Sequence, residues 1–455
     1  MRDSSRRTDW RRYFYASNLF GSLAGGLVNP FTVLYALSLG ADAALIGVMV
    51  SLPPLMTTLT QLLWARVTRL TGRRKPFVVV ATLLTSAFWI LMGLVQSPTQ
   101  LVALIGAQSL LVSIGAPAAT GLLTSLLKEK ERGNVISQSN RYAHMGALVG
   151  TFVAGPVIDA IGNGLGYRVA FFAAAVTNLL NVLVYNRGMP DARIEASSSS
   201  RVKLSAERRD LLLRLIAVRS IFTVGVSVAG PYIVVYLVDR YQVSNSAVGM
   251  MAVVSNLMSI LTVSRWGRVV DSYGRVLTLS LGSCLASLVP LLVVMGGNVY
   301  LSSTGYVAGG IFWAAVSVSL SAYLMDITQG GDVEGSVALF NAAMGISSTI
   351  GPLLGGAIAS FTGDISHIFY ASGIARFLMG AASYAYLKEV YPHAKEVTIQ
   401  QVLSPVGALQ PEVERGIRFL TYIASRETVQ EAVERIGKEM EEVEAEQPME
   451  WVEEF

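Results

Sequence analysis

The chain has 455 residues, of which 52% are hydrophobic and only 15% are charged. Soluble domains carry about 25% charged residues, so this composition favours a membrane-embedded protein over a soluble one. The single cysteine excludes internal disulfides and cysteine-based metal sites, and the three histidines lie too far apart in the sequence to predict a metal cluster. The net charge of +4 combines a basic body, residues 1–388, with an acidic tail, residues 389–455.

Apolar segments recur along the body and are separated by short polar breaks. The first twelve residues are polar and Arg-rich, and the apolar run after them is too long for a signal-peptide core, so no signal peptide is expected. Each segment has about the 20 residues that a membrane-spanning helix needs. The predicted helices, numbered 1 to 12, are 13–38, 43–68, 76–96, 99–127, 136–160, 167–186, 211–238, 245–270, 275–296, 299–327, 335–361 and 365–388.

Basic residues fall on one side of these helices. The N-terminal segment, the loop after helix 2 and the loop after helix 4 are rich in Lys and Arg. The alternate loops hold only Arg240, with Arg168 at the start of helix 6. Because inward-facing loops concentrate Lys and Arg, both termini are predicted to be cytoplasmic and the protein a multi-pass protein of the cell membrane. The lipid bilayer therefore accounts for the basic excess, and no nucleic acid partner is expected.

Two further regions divide the chain. Residues 187–210 are polar and include four consecutive serines, which predicts a cytoplasmic linker between a bundle at 1–186 and a bundle at 211–388. The tail, residues 389–455, is predicted to be helical. Within it, residues 411–446 combine a proline start, a capping box and a 4-3-4-3 apolar seam. This pattern fits either a helical hairpin that closes on itself or a surface for a protein partner.

Two loops at matched positions share a pattern, which indicates an internal repeat. The loop after helix 8 contains Gly267, Asp271, Gly274 and Arg275 in the spacing G-x-x-x-D-x-x-G-R. The loop after helix 2 has Ala65, Arg69, Gly72 and Arg73 in the same spacing, and helix 11 contains G-P-L-L-G-G, of which helix 5 carries a degenerate copy. These motifs resemble those of the major facilitator superfamily. Over residues 1–388 the resemblance implies an all-α membrane fold of two pseudo-symmetric six-helix bundles. The bundles would rock about a cavity lined mainly by helices 1, 4, 7 and 10.

The resemblance also implies a cytoplasmic gate. In this family the loop-motif aspartate lies near the start of a helix in the other half, which places Asp271 opposite Arg132. In the first half both charges are exchanged, since Arg69 replaces the aspartate and Glu334 stands at the start of helix 11. The sequence therefore predicts two inter-half ion pairs of opposite polarity, Asp271–Arg132 and Arg69–Glu334, which hold the outward-open state. The alternative is that Arg69 is one more inward-facing cation and Glu334 a solvated acid.

Three arginines are candidates for substrate binding. Arg141, Arg219 and Arg376 lie inside helices 5, 7 and 12, where a charge costs at least ~2.5 kcal/mol. No carboxylate lies near a predicted midplane, so these arginines favour an anionic substrate group; the alternative is that they bind carbonyl or Asn side-chain oxygens between helices. The same absence disfavours proton coupling, and the coupling ion stays open. Further candidate contacts on the cavity helices are Asn18, Asn29, Tyr232, Trp313 and Tyr323.

The chain lacks a phosphate-binding G-x-x-x-x-G-K-[ST] loop, an H-E-x-x-H motif and a pair of mid-membrane acids. It is therefore not expected to be an enzyme, to use ATP or to hold a metal or cofactor. The leading interpretation is a secondary transporter that moves a small organic solute, anionic or not, by alternating access. Two alternatives stay open: a drug or metabolite efflux antiporter, and a transporter-like membrane sensor that signals through its acidic tail.

Overall fold

The computed structural model describes residues 2–71, 73–127, 129–162, 164–191, 204–329 and 332–390. All regular elements in this part of the chain are helical, which confirms the predicted fold class. The tail beyond residue 390 lies outside the described residues, and with it the predicted partner surface at 411–446. The helices are α1 Arg2–Val28, α2 Thr32–Ser38, α3 Ala43–Thr71, α4 Lys75–Gly93, α5 Pro98–Val112, α6 Gly115–Leu126, α7 Glu129–Ile161, α8 Leu165–Gly188, α9 Ala206–Ala229, α10 Tyr232–Tyr241, α11 Asn245–Tyr273, α12 Arg275–Leu285, α13 Leu288–Met295, α14 Val299–Thr328, α15 Val333–Thr362 and α16 Ser366–Tyr386.

Four of the predicted helices are each broken into two elements close to a proline. A 3-10 turn containing Pro30 separates α1 from α2, and Pro231 lies between α9 and α10. Pro117 and Pro290 follow the α5–α6 and α12–α13 breaks. Proline has no backbone N–H and its ring clashes with the preceding turn, so each proline removes a hydrogen bond at these points. Three of the four broken helices are helices 1, 4 and 7, which the family resemblance assigns to the cavity.

Among the described residues, eleven helical segments are long and apolar enough to cross a membrane. The twelfth predicted span is α16, which has 21 residues but carries Arg376 at its centre. Consecutive spans run in opposite directions, so their loops alternate between two faces of the molecule. We call the face that bears residues 73–74, 189–191, 204 and 274 the linker face. The opposite face, which bears residues 39–42, 94–97, 242–244, 296–298 and 363–365, is the short-loop face.

The apolar cores show how the N-terminal bundle (α1–α8) and the C-terminal bundle (α9–α16) meet. Near the short-loop face, one continuous core joins both bundles and includes Phe31, Ile46 and Phe171 from the first and Val235 and Phe369 from the second. Toward the linker face each bundle has a core of its own. That of the first contains Trp10, Phe14, Leu122 and Tyr185, and that of the second contains Leu215, Leu279, Tyr323 and Phe340. The bundles are therefore sealed together at the short-loop face and packed separately at the linker face.

Glycines allow the closest helix contacts inside each bundle. Gly146 and Gly150 of α7 lie against the backbone of α1, and Gly351 and Gly355 of α15 lie against the backbone of α9. A Cβ at any of these positions would overlap a carbonyl oxygen or a neighbouring side chain, so only glycine permits the approach. The two glycines of α15 belong to the G-P-L-L-G-G motif. The motif therefore packs α15 on α9 as its degenerate counterpart packs α7 on α1.

Candidate functional site

The short-loop face is closed by a carboxylate of one bundle that caps a helix of the other. Asp159, in the last turn of α7, accepts hydrogen bonds from the backbone N–H groups of Asn245 (3.0 Å) and Ser246 (2.7 Å) in the first turn of α11. It also accepts from the Asn245 side-chain amide at 2.8 Å and from the Ser246 hydroxyl. The first N–H groups of a helix have no partner within it and carry a partial positive charge, so they bind a carboxylate well. We call this arrangement the Asp159 cap.

A buried tyrosine forms a second contact between the bundles. The Tyr232 hydroxyl lies 3.0 Å from the carbonyl oxygen of Ala43 in the N-terminal bundle and 2.9 Å from that of Pro352 in α15. Gly47 makes this possible, because a Cβ there would lie 2.5 Å from the Pro352 carbonyl oxygen and 2.7 Å from the tyrosine oxygen. Tyr167 adds a third contact by donating to the Asn245 side chain at 2.7 Å. All three of these contacts between the bundles lie toward the short-loop face.

At the linker face, the loop motif of the C-terminal bundle forms an ion-pair cluster within that bundle. The Arg275 guanidinium donates to Asp271 at 2.9 Å and to Asp326 of α14 at 3.1 Å, which ties together the ends of α11, α12 and α14. Gly274 supplies the turn between α11 and α12 with φ +97°, a conformation that L side chains rarely adopt. Glu389 then caps α12 by accepting from the Val276 N–H at 2.8 Å. These contacts explain why the motif contains both glycine and arginine.

The first-half copy of the motif is arranged differently. Arg73 is exposed, whereas the guanidinium of Arg74 lies directly against Gly121 of α6, and burial lowers the pKa of Arg74. Gly72 and the side chains of Arg69, Arg132 and Glu334 lie outside the described residues. On the second-half side, the Asp271 side chain is 69% exposed, and a Cβ at Gly267 would meet nothing within 4 Å. The two predicted inter-half ion pairs therefore stay a prediction.

The three predicted arginines occupy different environments. Arg219 of α9 is 2% exposed; its guanidinium donates to the Ser283 hydroxyl at 3.1 Å and lies 4.0 Å from the centre of the Phe222 ring. Arg376 is 5% exposed and donates to two backbone carbonyl oxygens, of Ala286 (3.1 Å) and Val226 (3.3 Å). Arg141 is exposed on α7, about five turns before Asp159 and so on the same helix face, which is the face toward α11. The structure does not bring the three together.

The other candidate contacts also separate. Tyr323 is fully buried at the linker face and donates to the Lys388 carbonyl oxygen at 2.9 Å. Asn18 donates to the Phe14 carbonyl oxygen of its own helix at 2.8 Å, and Asn29 is exposed in the 3-10 turn. Trp313 is 49% exposed and lines the same cavity as Arg376. The predicted helix 136–160 placed Asp159 one residue before its end, and sequence reasoning assigned it no role. The serine and asparagine residues at the start of α11 were the available signal for a capped helix.

Comparison with known proteins agrees with this architecture. A model of the Major Facilitator Superfamily matches the chain twice, over residues 14–223 and 215–425. The chain belongs to the major facilitator superfamily. It is accordingly a multi-pass membrane transporter of the secondary type and not an enzyme. The two successive matches also agree with the internal repeat seen in the loop motifs.

Individual relatives within the major facilitator superfamily are distant. The chain is 24% identical over 395 residues to the multidrug resistance protein MdtG of Proteus mirabilis, covering 82% of this chain and 95% of the relative. It is 22% identical over 372 residues to a multidrug resistance efflux pump PmrA homologue of Lactococcus lactis, covering 78% and 90%.

Solved structures with this fold show lower identity still. The nucleoside transporter NupG superposes with a TM-score of 0.65 at 12% identity, covering 83% of this chain and 99% of NupG. A bacterial homologue of the human lysosomal transporter Spinster, in an inward-facing and unoccupied conformation, superposes with a TM-score of 0.60 at 12% identity, covering 90% and 98%. At this identity the likeness establishes the fold alone.

Proposed function

We propose that this protein exports amphipathic organic compounds from the cytoplasm, as a secondary exporter of drugs or metabolites. The observation that carries the proposal is the shared core at the short-loop face together with separate cores at the linker face. A transporter closed at one end loads its substrate from the other. The two distant relatives named for drug resistance or efflux support export, since about nine-tenths or more of their length aligns with this chain.

The orientation in this proposal rests on charge. Arg73, Arg74 and Lys75 lie at the linker face, whereas the short-loop face has Arg168 near the start of α8 and Arg240 in the last turn of α10. Because Lys and Arg concentrate on the cytoplasmic side, the linker face and both termini are assigned to the cytoplasm. The open end would then face the cytoplasm, and the structure would correspond to the state in which an exporter takes up its substrate.

Alternating access requires the opposite state as well, and the proposal assigns its closure to the predicted pairs Asp271–Arg132 and Arg69–Glu334. Reversing one charge, with Arg69→Glu or Glu334→Arg, would place like charges together and lower transport. Combining the two reversals would restore an opposite pair and recover transport. Arg73→Glu is the matched control, because this neighbouring arginine has no assigned partner and Glu334→Arg would not rescue it. If the double variant lost as much transport activity as the single variants, the Arg69–Glu334 pair would be removed from the proposal.

The export proposal is tested in bacterial cells that lack their major exporters. Cells are loaded with fluorescent compounds of similar size that are cationic, neutral or anionic, and efflux is followed after energy is supplied. We expect efflux of at least one compound. Collapsing the proton gradient and, in a separate assay, the sodium gradient would identify the coupling ion. Truncation after residue 390 should leave efflux intact in a carrier. Net accumulation of the anionic compound without any efflux would instead favour the uptake of an anionic solute.

A further inference from the structure

A cavity of about 250 Å³ lies inside the C-terminal bundle, between α11, α12–α13, α14 and α16. Its lining includes Ser255, Asn256, Ser259, Gly309, Trp313 and Arg376. Asn256 and Trp313 are exposed and therefore mark its mouth, whereas Arg376 is buried and marks its inner end. The volume is slightly below the roughly 300 Å³ at which sites for drug-sized ligands begin, so it fits a small molecule or one group of a larger one.

The mouth is directed toward the other bundle. Asn256 lies about two turns after Gly249 on α11 and therefore on nearly the same helix face. Gly249 contacts the first bundle, because a Cβ there would lie 3.1 Å from the Phe31 ring and 3.1 Å from the Thr151 carbonyl oxygen. Asn256 is displaced from this contact toward the linker face, where the bundles have separate cores. The cavity is thus a side pocket of the space between the bundles.

Arg376 gives this pocket its chemical character. A guanidinium has five N–H donors, and those of Arg376 make two hydrogen bonds, both to backbone carbonyl oxygens. Its Nε is buried without a hydrogen-bond partner, and no carboxylate of the described residues lies within ion-pair distance. A buried charge that lacks a counter-ion is costly, so an anion at this position would relieve both deficits.

The remaining lining residues define the rest of the ligand. Ser255 and Ser259 place hydroxyl groups on one wall, where an oxygen-bearing group can accept or donate a hydrogen bond. The indole of Trp313 offers a flat apolar surface at the mouth, and Val289 and Gly309 form an apolar, narrow wall. A planar ring fits between these surfaces, because aromatic pairs gain from offset stacking as well as from burial.

We infer that this side pocket binds small aryl carboxylates, with the carboxylate at Arg376 and the ring beside Trp313. The inference stands on the geometry of the C-terminal bundle and does not need the protein to be an exporter. A chain that binds an aryl carboxylate here but exports nothing keeps this inference and loses the proposed function. A chain that exports compounds but binds no aryl carboxylate here keeps the proposed function and loses this inference.

Gly309 provides a variant that alters the pocket and not the fold. The nearest atoms to a Cβ at Gly309 belong to Val289 and Ser255, at 3.8–4.0 Å, which is ordinary van der Waals contact. Gly309→Val therefore adds a side chain at the pocket wall whose Cβ makes no close contact with the backbone. Gly267→Val is the matched control for benzoate binding, because it makes the same change at a helical glycine with nothing within 4 Å of its Cβ and outside the pocket lining.

The experiment measures binding of benzoate, benzamide and benzylamine to the purified full chain, by titration calorimetry and by thermal shift. These probes share a ring and differ in charge. We expect benzoate to bind, benzamide to bind more weakly and benzylamine not to bind. Gly309→Val should weaken benzoate binding by about tenfold or more, as overfilled sites typically do, while Gly267→Val leaves it unchanged. Arg376→Gln should abolish the preference for benzoate over benzamide.

Two results would overturn the inference. Benzylamine binding as tightly as benzoate would show that Arg376 does not select the charge of the ligand. Unchanged benzoate affinity in a folded Gly309→Val protein would place the ligand elsewhere. Because Gly309→Val is chosen to preserve packing, the inference stays testable even if Arg376→Gln fails to fold.

Discussion

The carboxylate of Asp159 accepts the backbone N–H of Ser246 at 2.7 Å and thereby joins the end of α7 to the start of α11. One bundle thus adds a second cap to a 29-residue helix of the other, whose own N-cap is Ser244. Because the contact joins the two bundles at the short-loop face, opening that face would break it. Its strength therefore contributes directly to the balance between the two states that alternating access requires.

Asp159→Asn should shift this balance toward the state that is open at the short-loop face. The variant loses the negative charge that favours the start of α11. Its side-chain NH2 group also faces backbone N–H groups, so that donor meets donor. A loss of about 1–2 kcal/mol corresponds to a population shift of roughly 5–30-fold. Spin labels at the exposed positions Gln96 and Tyr300, in a Cys284→Ser background, report the distance between the bundles at this face.

Asp42→Asn is the control for this experiment, because Asp42 lies in a loop of the same face but accepts the N–H of Leu45 in its own bundle, at 2.8 Å. It should leave the label distances unchanged. Identical distance distributions for Asp159→Asn and the wild type would contradict a role of the Asp159 cap in closure.

Tyr232→Phe should weaken closure as well as stability. The variant leaves the carbonyl oxygens of Ala43 and Pro352 without the tyrosine hydroxyl, and an unsatisfied buried acceptor costs about 1–3 kcal/mol. Tyr35→Phe is the matched control, since its hydroxyl donates to Met92 at 3.2 Å within one bundle. Both variants should lower the melting temperature, but only Tyr232→Phe should change the label distances. A change of equal size in Tyr35→Phe would mean that the distances report general destabilisation.

Gly47→Ala should open the short-loop face by a steric route. Its Cβ would lie 2.5 Å from the Pro352 carbonyl oxygen, which is backbone of the other bundle and cannot give way without separating the two. Gly106→Ala is the control, because its Cβ would meet at 3.2 Å the end of the flexible Leu52 side chain in the same bundle. Attachment of a water-soluble thiol reagent to Leu45→Cys, in the Cys284→Ser background, measures opening. Equal labelling of Gly47→Ala and wild type would contradict the expected effect.

Asp326→Asn should destabilise the C-terminal bundle without affecting the short-loop face. Arg275 is 10% exposed and Asp326 30%, so the variant breaks a charged hydrogen bond of about 1.5–3 kcal/mol in a largely buried setting. Asp210→Asn removes an exposed pair with Arg214, 56% and 54% exposed, which typically contributes less than about 0.5 kcal/mol. Thermal unfolding of both variants gives the comparison. A larger loss of thermal stability in Asp210→Asn than in Asp326→Asn would contradict the claim that the Arg275–Asp326 pair is the more stabilising of the two.

The sequence alone determined the class of the protein, its helices and its repeat. Membrane spans are predictable because the bilayer demands about 20 apolar residues for each, a local property of the chain. The breaks near Pro30, Pro117, Pro231 and Pro290 were not predicted. A proline removes one backbone hydrogen bond but does not always end a helix, since Pro53, Pro156 and Pro352 lie inside the unbroken helices α3, α7 and α15. Lys and Arg in alternate loops predicted the orientation by the same kind of counting, and that orientation stays a prediction.

Only the tertiary structure decided which groups meet. Arg219 and Arg376 looked alike in sequence, yet one lies on Phe222 and the other lines a cavity. Asp159 was visible as an acid near a helix end, but its partners come from residues about 86 positions away in the chain. Which partner a polar side chain finds depends on how two separately folded bundles pack. Residue spacing along one helix carries no information about that.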